Sequence, residues 1–565
     1  DYDDPEVYEM IAKGNTQGIF QLESAGMTQF MKNLKPDCFE DIVAGISLYR
    51  PGPMASIPTY IENKKNPDKI QYLHPLLEPI LSVTYGCLVY QEQVMQIVRD
   101  LAGYSYGHSD ILRRAMGKKK MDVMLAEKEV FIKGCQERNV SRDIAEQLFN
   151  QMVSFAEYAF NKSHAAAYAV VGYETGYLKC HYPVEFMAAL MTSVISDGKQ
   201  IAKYIRNCND MGIEVLPPDV NESSKKFSVV NGKIRFGLLG IKNVGESVID
   251  AIIEARENHG QAKDIFEFIE NLDIHKINKK AIESLIKAGA FDSLNSNRAQ
   301  YLAIYEDLIE SAQKEAKKNI EGQLSLFELN NEQMQSADHG KTLPNVAPFP
   351  KEIINSLEKE MMGVYITGHP LDDFKDVIDK VTSVNSESLA HAQQELEEGI
   401  TTEIEDGQKV IIAGMVNSKK TLITKKNQMM AFIEVEDLYG ITEVVVFPRI
   451  YERDQALINE DQMVIVEGTL NFKEDEPPKV LADKITELTN EPDAPIKIRI
   501  TNKENENNIF NAVKDILANH SGRRIVYIYN ADGKGFRAPS SLWVKTSNQL
   551  ISELENLVGI GNVKS

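Results

Sequence analysis

Apolar residues recur at helical spacing through the first 215 residues of the chain. Residues 124–135 and 144–160 are two amphipathic stretches of this kind, each with one apolar and one polar face. Proline and glycine separate such stretches, as in RPGP at 50–53 and LPPD at 216–219. The pattern predicts a mostly helical first domain over residues 1–215.

The pattern changes after residue 232. A short strand-like run at 233–237 leads into two compact helix pairs that end near Leu294. Residues 311–350 are polar apart from one apolar island, and residues 385–408 are rich in Glu and Gln, so we expect both to be linkers. Apolar residues then alternate in five short segments, at 410–416, 430–435, 443–447, 463–470 and 480–485. These segments predict a small closed β-barrel, followed by strand, helix, strand and helix over 496–565.

Length and composition narrow the class of protein. A chain of 565 residues is too long for one core, and 43% hydrophobic with 26% charged residues is ordinary for a globular protein. No apolar run reaches the roughly 18 residues that span a bilayer, and no signal-peptide pattern is present. We therefore expect a cytoplasmic protein of several domains that makes no membrane contact. Because the sequence opens on DYDD instead of Met, we also expect a piece of a longer protein.

The cysteines argue against a zinc-binding protein, and the net charge argues against a protein that binds nucleic acid over its whole surface. Five cysteines are scattered over the first 210 residues without a C-x-x-C pair, which predicts reduced thiols and no zinc site. The net charge of −21 argues against adhesion of the whole surface to nucleic acid. Phosphate binding would instead depend on local clusters of basic residues, because salt screens charges beyond about 10 Å.

The densest basic cluster is LRRAMGKKK at 112–120, which has five cations and no acidic residue. The adjacent guanidiniums of Arg113 and Arg114 offer planar forks that match phosphate oxygens, and Gly117 permits close backbone approach. The cluster is therefore a candidate phosphate site. A basic helix end that is simply solvated would have the same composition.

A second cluster is FNKSHAAAY at 160–168. Ser163 is expected to be the N-cap of a helix that runs toward Lys179, which would place Asn161, Lys162 and free backbone amides at the positive helix end. Such an end binds anions. His164 and Tyr168, four residues apart, would share one face and either stack on a base or pack together. An ordinary capped helix remains the alternative.

Five strings together resemble one protein family. They are FQLES at 20–24, LYRPGP at 48–53, TYGCLVYQEQVMQI at 84–97, LRRAMGKKK and FNKSHAAAY. In this order and spacing they closely resemble the fingers of the bacterial DNA polymerase III alpha subunit, and the likeness continues through KCHYPVEFM at 179–187. Glu157 and Ala159 depart from the family, which often carries glycine at these positions.

The resemblance implies roles for residues of both clusters. Arg113 and Arg114 would bind the triphosphate of the incoming nucleotide, with Lys118 nearby. A second set of side chains would line the nucleotide pocket, namely Asn161, Lys162, Ser163 and His164, with Arg50 and Gln21 as further candidates.

Catalytic carboxylates are not expected in this sequence. Polymerases hold two Mg²⁺ ions about 3.5–4 Å apart on acidic residues, and the family carries its aspartates in a palm domain upstream of FQLES. Asp1 and Asp3 form a D-x-D string, but they precede a predicted helix at 6–11 and are better explained as helix-entry acids. We therefore expect Mg²⁺ to be bound by the palm and this chain not to polymerise alone.

The run LLGIKNVGESV at 238–248 resembles a helix–hairpin–helix. In that motif backbone amides at a helix N-terminus face DNA phosphates without reading the sequence. Lys242 adds a cation, and Asn243 tolerates the positive φ that the family gives to glycine. Val244 and Gly245 complete the turn. A degenerate second unit contains Lys279 and Lys280, and a plain helical hairpin is the alternative for both.

The apolar island resembles a sliding-clamp-binding motif, QLSLF, formed by Gln323, Leu324, Ser325, Leu326 and Phe327. Burial of Leu326 and Phe327 in a clamp pocket would supply about 3–6 kcal/mol. Collapse onto the protein's own surface is the alternative.

The barrel and the tail have weaker signals. The barrel carries cations and aromatic residues that would suit single-stranded template, namely Lys419, Lys420, Lys425, Lys426, Phe432, Phe447 and Phe472. Many barrels of this kind bind only protein. The tail resembles the family region that binds the clamp-loader tau subunit.

The predicted protein is thus multidomain α+β: mainly helical fingers, tandem helix–hairpin–helix units, an all-β OB-fold barrel and a small α/β C-terminal domain. The predicted bounds are 1–215 for the fingers, 216–310 for the hairpins, 311–404 for the linker and clamp-binding region, 405–490 for the OB-fold and 491–565 for the tail. The expected function is DNA-directed DNA synthesis by a replicase alpha subunit, with primer–template DNA, deoxynucleoside triphosphates, the β sliding clamp and tau as partners.

Two other functions remain open. A noncatalytic DNA and clamp adaptor would explain the hairpins, the clamp string and the barrel, but not the two phosphate clusters. A structure-specific nuclease would need a cluster of metal-binding carboxylates, and the sequence has none at suitable spacing.

Overall fold

The computed structural model describes residues 1–50, 52–117, 121–156, 160–320, 342–397, 402–473, 476–489, 496–501, 503, 505–544, 548–559 and 561–564. Across these residues no helix combines the length and apolar character that crossing a membrane requires.

The first region is helical, as its apolar spacing predicts. Its helices are α1 (Pro5–Ala12), α2 (Ala25–Leu34), α3 (Phe39–Leu48), α4 (Ile57–Lys65), α5 (Glu78–Leu81), α6 (Gln91–Ala102), α7 (Tyr106–Gly117), α8 (Met121–Ala126), α9 (Lys128–Gln136), α10 (Arg142–Ala156), α11 (Lys162–His181), α12 (Pro183–Ser193) and α13 (Gly198–Asp210). They form two cores. Helices α1–α3 pack around α11, and α6 and α7 pack with α9 and α10.

The second region combines a small sheet with helices. It contains β1 (Val215–Leu216), β2 (Ser228–Val230), β3 (Lys233–Arg235), α14 (Glu246–His259), α15 (Ile265–Asn271), α16 (Lys279–Lys287), α17 (Arg298–Ile320) and α18 (Lys351–Met362). The strand order is β1-β3-β2. Helices α12 and α13 share the core of this region.

One buried ion cluster ties α17 to α18. The guanidinium of Arg298, only 4% exposed, donates to Asp292 at 2.6 Å and to Glu358 at 2.9 Å. Glu358 is fully buried and also accepts from the amides of Ile366 and Thr367. Such a charge is tolerated in a core because every oxygen is paired.

Helix α17 continues through residues 311–320. The expected linker over 311–350 is therefore wrong for these ten residues.

The third region is the barrel with helices packed on it. It contains α19 (Lys375–Val381), α20 (Ser386–Glu397), β4 (Lys409–Ile423), β5 (Met429–Glu436), β6 (Ile441–Val446), α21 (Pro448–Asp454), β7 (Met463–Lys473) and β8 (Glu476–Glu487). The strands close in the order β4-β5-β6-β8-β7, which confirms the predicted barrel. Along β7 half-buried and buried positions alternate, as the sequence pattern requires.

The second expected linker is also wrong in part. Residues 386–397 form α20, whose Leu389 and Ala392 are buried in the barrel core. The carboxylate of Asp437 accepts bonds from the amide and the hydroxyl of Ser386 and so fixes the start of this helix.

The tail folds as a separate α/β unit. It contains β9 (Ile496–Arg499), α22 (Glu506–Asn519), β10 (Ser521–Arg524), β11 (Val526–Tyr529), β12 (Gly535–Arg537), α23 (Asn548–Val558) and β13 (Val563–Lys564). Four strands form a sheet in the order β12-β11-β9-β13, and both helices contribute to its core. The described helices, barrel and tail sheet together give the mixed α+β class that the sequence predicts.

Candidate nucleic-acid interface

The N-cap of α11 lies two residues earlier than predicted. The N-cap is Asn161, whose carboxamide oxygen accepts from the amide of His164 at 3.0 Å. Ser163 lies in the first turn, and its hydroxyl donates to the same Asn161 oxygen. The expectation that Ser163 caps the helix is therefore wrong, although both residue types are good caps.

The positive end of α11 is already close to protein carboxylates. The amide of Lys162 donates to Glu92 Oε2 at 2.9 Å. Its ammonium lies 3.0 Å from Glu40 Oε2 and 5.4 Å from the centre of the Tyr90 ring. A helix N-terminus favours negative charge, so these acids stand where an anion would bind.

An aromatic strip runs along the exposed side of α11. The guanidinium of Arg50 lies 4.1 Å from the centre of the Phe160 ring. His164 follows, with ring centres 5.7 Å from Phe160 and 4.4 Å from Tyr168. Tyr168 in turn meets Phe20 at 5.5 Å. His164 and Tyr168 therefore share one face, as predicted, and the strip joins Arg50 to the FQLES loop.

The FQLES loop lies directly on α11. The amide of Phe20 donates to Thr175 Oγ1 at 3.1 Å, and a Cβ added to Gly172 would stand 3.1 Å from the Phe20 carbonyl oxygen. Gln21, with φ of 64°, turns the chain at an exposed position beside the strip. The loop thus holds Gln21 near the other residues that were predicted to line the nucleotide pocket.

The arginine pair shares a single carboxylate. Asp110 accepts from Arg113 Nε at 2.9 Å, and its other oxygen lies 2.8 Å from Arg114 Nε. These bonds, above all that from Arg113, hold the pKa of the Asp110 carboxyl below its usual value. The pair therefore carries one uncompensated positive charge instead of two. Lys118 lies outside the described residues.

The arginine pair lies on α7, which shares a hydrophobic core with α6. Arg99 near the end of α6 stacks on Tyr106 at the start of α7, with 3.5 Å between guanidinium carbon and ring centre. Leu112 of α7 and Val94 of α6 belong to the same hydrophobic core.

The start of α6 is bonded to the second cluster. The amide of Gln91 donates to the Phe160 carbonyl at 2.9 Å, next to the Lys162–Glu92 bond. The structure therefore places Arg50 and Lys162 beside the start of α6, while the arginine pair lies on α7, which packs against α6. Among the described residues, no side-chain contact joins Arg113 or Arg114 to residues 160–164.

The first helix–hairpin–helix turn has the predicted backbone. Asn243 has φ of 65°, and Gly245 is the N-cap of α14. Val244 is buried, whereas Lys242, Asn243 and Gly245 are exposed. Within the described part of the chain, the amides of Gly245 and Glu246 have no acceptor and Lys242 has no ion pair. These groups can therefore bind a phosphate.

The amide of Lys242 is not available for this purpose. It donates to the Met361 carbonyl at 2.9 Å and so fixes the turn against α18. The Asn243 carboxamide donates to Ser284 Oγ at 3.1 Å, which links the two hairpins. The turn is thus held rigidly from behind, while its outer face stays open.

The second unit differs from the first. Asn278 caps α16 by accepting from the amide of Ala281 at 2.8 Å. Lys279 lies 2.6 Å from Glu310 and 3.4 Å from Glu306, and the bond to Glu310 raises its pKa. Lys280 is exposed and unpaired in the described region. Of the two predicted lysines, Lys280 alone is available without breaking an ion pair.

The remaining predicted residues have mixed outcomes. Residues 323–327, the clamp-binding string, lie outside the described residues. In the barrel Phe472 is 6% exposed and belongs to the core, so it cannot be a stacking platform, whereas Phe447 is 45% exposed. Lys420, Lys425 and Lys426 are exposed around the β4–β5 hairpin.

The described residues do not fit a two-magnesium site. Two groups of metal-binding side chains come together within the described ranges: Glu6 with Cys180 and His181, and Asp37 with Cys38 and Asp41. The first contains a thiol and an imidazole, which suit softer metals. In the second, Lys64 lies 3.0 Å from Asp37 and also bonds Asp41. The structure therefore supports no metal-dependent step within these residues.

Three acidic residues that contact the basic clusters were not predicted from the sequence, namely Glu40, Glu92 and Asp110. Asp110 precedes the two arginines by three and four residues, which is the spacing of a helical ion pair and was a usable signal. Glu40 and Glu92 contact Lys162 across 122 and 70 residues of sequence, and no local pattern reveals such contacts.

Comparisons with known proteins match three parts of the chain. A family model described as the bacterial DNA polymerase III alpha subunit finger domain matches residues 1–139. A helix–hairpin–helix motif matches residues 212–301, and an OB-fold nucleic acid binding domain matches residues 410–488. The "DNA polymerase III subunit alpha" of Thermus aquaticus is 39% identical over 533 residues, which cover 93% of this chain. The chain belongs to this polymerase family.

Two further relatives carry the same name. The protein of Borreliella burgdorferi is 38% identical over 93% of the chain, and that of Escherichia coli K12 is 33% identical over 100%. The chain spans slightly less than half of these DNA polymerase III alpha subunits: 42% of the Thermus protein, 45% of the Borreliella protein and 49% of the Escherichia protein.

Proposed function

We propose that this chain is the nucleotide- and DNA-binding part of a DNA-directed DNA polymerase, the alpha subunit of a bacterial replicase. The observation that carries the proposal is that Lys162 bonds Glu92 at the start of α6, next to Arg50 stacked on Phe160, while the Arg113–Arg114 pair lies on α7, which packs against α6. A pocket that receives a nucleoside triphosphate needs several cations within the length of three phosphates.

Each group has a distinct role in this proposal. Arg113 and Arg114 exchange Asp110 for phosphate oxygens, because their planar guanidiniums can form paired bonds to either partner. Lys162 and the end of α11 bind a neighbouring phosphate, while Arg50, His164 and Gln21 line the rest of the pocket. The Mg²⁺ ions would be bound by carboxylates of a palm domain outside this sequence.

Steady-state kinetics of the intact subunit test the nucleotide site. Replacing Arg113 and Arg114 by Ala should raise the nucleotide KM or lower kcat by about 100-fold or more, because two charge-assisted bonds are lost. Arg142→Ala is the control, since Arg142 is a half-exposed helix arginine that pairs with Glu129 and Glu146 outside the site. Unchanged kinetics in the double variant would contradict the assignment.

The hairpin and the barrel bind primer–template DNA in the same proposal. Lys242, Gly245 and Lys280 would contact phosphates, and the lysines of the β4–β5 hairpin would contact the template strand. Free amides at the start of α14 support the first of these contacts. Binding of this kind is independent of sequence and weakens with salt.

The β clamp, the tau subunit and a cytoplasmic location complete the proposal. QLSLF at 323–327 would dock in a hydrophobic clamp pocket. Replacing Leu326 and Phe327 by Ala should abolish clamp-dependent processive synthesis and spare short primer extension, with Asn330→Ala as the control. Clamp binding that survives the double substitution in a pull-down would refute this part of the proposal.

A further inference from the structure

A cleft of about 780 Å³ lies between α4 and α10. Its floor is apolar and includes Leu77, Leu81, Val89 and Leu148, all of which are buried. The volume falls within the roughly 300–1,000 Å³ of small-molecule sites. No role for this cleft follows from the nucleotide-binding residues described above.

None of the described residues that line the cleft carries a charge. One wall is the face of α10 formed by Gln147, Asn150, Gln151 and Ser154, at the spacing of a single helical face. These four side chains are exposed, and within the described ranges none of them makes a hydrogen bond. Three carboxamides and a hydroxyl thus point into the cleft with their donors and acceptors free.

The cleft adjoins the nucleotide-binding residues. Its lining includes Gly52, close in the chain to Arg50, and Val89, which precedes Tyr90. Tyr90 pairs with Phe160, and Val89 accepts a bond from the Phe160 amide. The Arg50–Phe160 stack therefore lies at one edge of the cleft, and positive charge is present there but not inside.

This chemistry excludes charged ligands. A phosphate, a carboxylate or a metal ion inside the cleft would lack a compensating charge, which carries a large desolvation penalty. A flat neutral heterocycle fits, because its faces contact the apolar floor and its edges bond carboxamides, each of which donates and accepts. A nucleobase has this form.

We propose that the cleft binds an unpaired base of the template strand, whose phosphates remain outside near Arg50. The base of the incoming nucleotide is excluded, because its edge must pair with the template and cannot also bond Gln147 and Gln151. This inference rests on the proposed function, since it requires a single-stranded template to pass this surface. The cleft keeps the next template base unpaired until that base pairs with an incoming nucleotide.

Abasic scanning of DNA binding by the whole chain tests the proposal. Fluorescence anisotropy would measure affinity for a primer–template whose single-stranded overhang carries one tetrahydrofuran site, moved one position at a time. At one overhang position, loss of the base should weaken binding about tenfold, while all phosphates are retained. In Gln147→Leu/Gln151→Leu, which keeps the side-chain size but removes the amides, that position should lose its effect.

A second variant and a control make the test independent of folding. Thr59→Phe fills the cleft from α4 and should abolish the same position's effect. Gln136→Leu changes an exposed glutamine on α9, outside the cleft, and should behave like the unaltered chain. Equal effects at all overhang positions, with DNA still bound, would overturn the cleft assignment and leave the proposed function standing. Failure to bind the DNA at all would overturn both.

Discussion

Replacing Asp110 by Asn should strengthen the binding of a triphosphate to this chain. Asp110 carries the carboxylate shared by Arg113 and Arg114, with N···O distances of 2.8 Å to each guanidinium. A phosphate must displace this carboxylate before it can use the same N–H groups. Asparagine keeps the side-chain size and removes the competing negative charge, so both arginines become available at lower cost.

The exposure of the three side chains sets the size of the effect. Arg113 is 33% exposed, Arg114 is 68% exposed and Asp110 is 30% exposed, so water screens both ion pairs. Exposed ion pairs contribute little free energy. Removing both pairs to Asp110 should therefore change the binding constant for the triphosphate by about two- to thirtyfold. The gain should shrink at high salt, because the screening length then shortens toward the spacing of the charges.

Calorimetric titration of the whole chain with inorganic tripolyphosphate would measure this effect. The titration compares unaltered protein with Asp110→Asn, and with Asp143→Asn as a control on an exposed acid in the first turn of α10. Arg113→Ala should bind more weakly than either. Weaker binding by Asp110→Asn would refute the reasoning, since Asp110 would then orient the arginines instead of competing with phosphate. An unchanged constant, with Arg113→Ala also unchanged, would remove both arginines from the site.

Two other predictions concern the hairpin and a buried lysine. Gly245 has φ of −85° and open space at its Cβ position, so Gly245→Ala should leave thermal stability unchanged but weaken duplex binding. Lys242→Ala should reduce the slope of log affinity against log salt by about one. Unchanged binding in both variants would exclude the turn from the interface. Burial lowers the pKa of Lys179 to about 8, so between pH 8 and 9.5 the unfolded chain holds a proton that the folded chain has released. The free energy of unfolding should therefore rise with pH, relative to Lys179→Met, by up to about 1.4 kcal/mol per pH unit. Equal slopes of the unfolding free energy against pH, measured by urea titration, would contradict this.

The barrel and the helices were predictable because their burial follows a local period. Strand β7 buries alternate residues, so Val464, Val466 and Leu470 appear in the sequence at the spacing at which they pack. The two expected linkers are wrong at 311–320 and 386–397, for the opposite reason. Helix α20 buries little beyond Leu389 and Ala392, and its Glu- and Gln-rich surface conceals this short apolar stripe. Tertiary contact with the barrel stabilises a helix that composition alone does not indicate.

The start of α11 shows where local rules reach their limit. Asn161 and Ser163 are both favourable caps, and the sequence gives no reason to prefer either. The choice follows from the pairing of Phe160 with Tyr90, which holds residue 160 in extended backbone and lets the helix begin at Lys162. That pairing joins residues 70 apart, so it depends on the assembled fold.

In the proposed nucleotide site, the carboxylates around the basic clusters would select between isolated anions and a triphosphate. Asp110 holds two arginines, while Glu40 and Glu92 hold Lys162 and its amide. A single phosphate displaces one of these acids and gains little, because it exchanges one anion for another at similar distance. A triphosphate that spans both clusters displaces all three and adds its own higher charge, and its later contacts form without further loss of translational freedom. The proposed site would therefore favour ligands with several linked phosphates over isolated anions, which requires one triphosphate to reach both clusters.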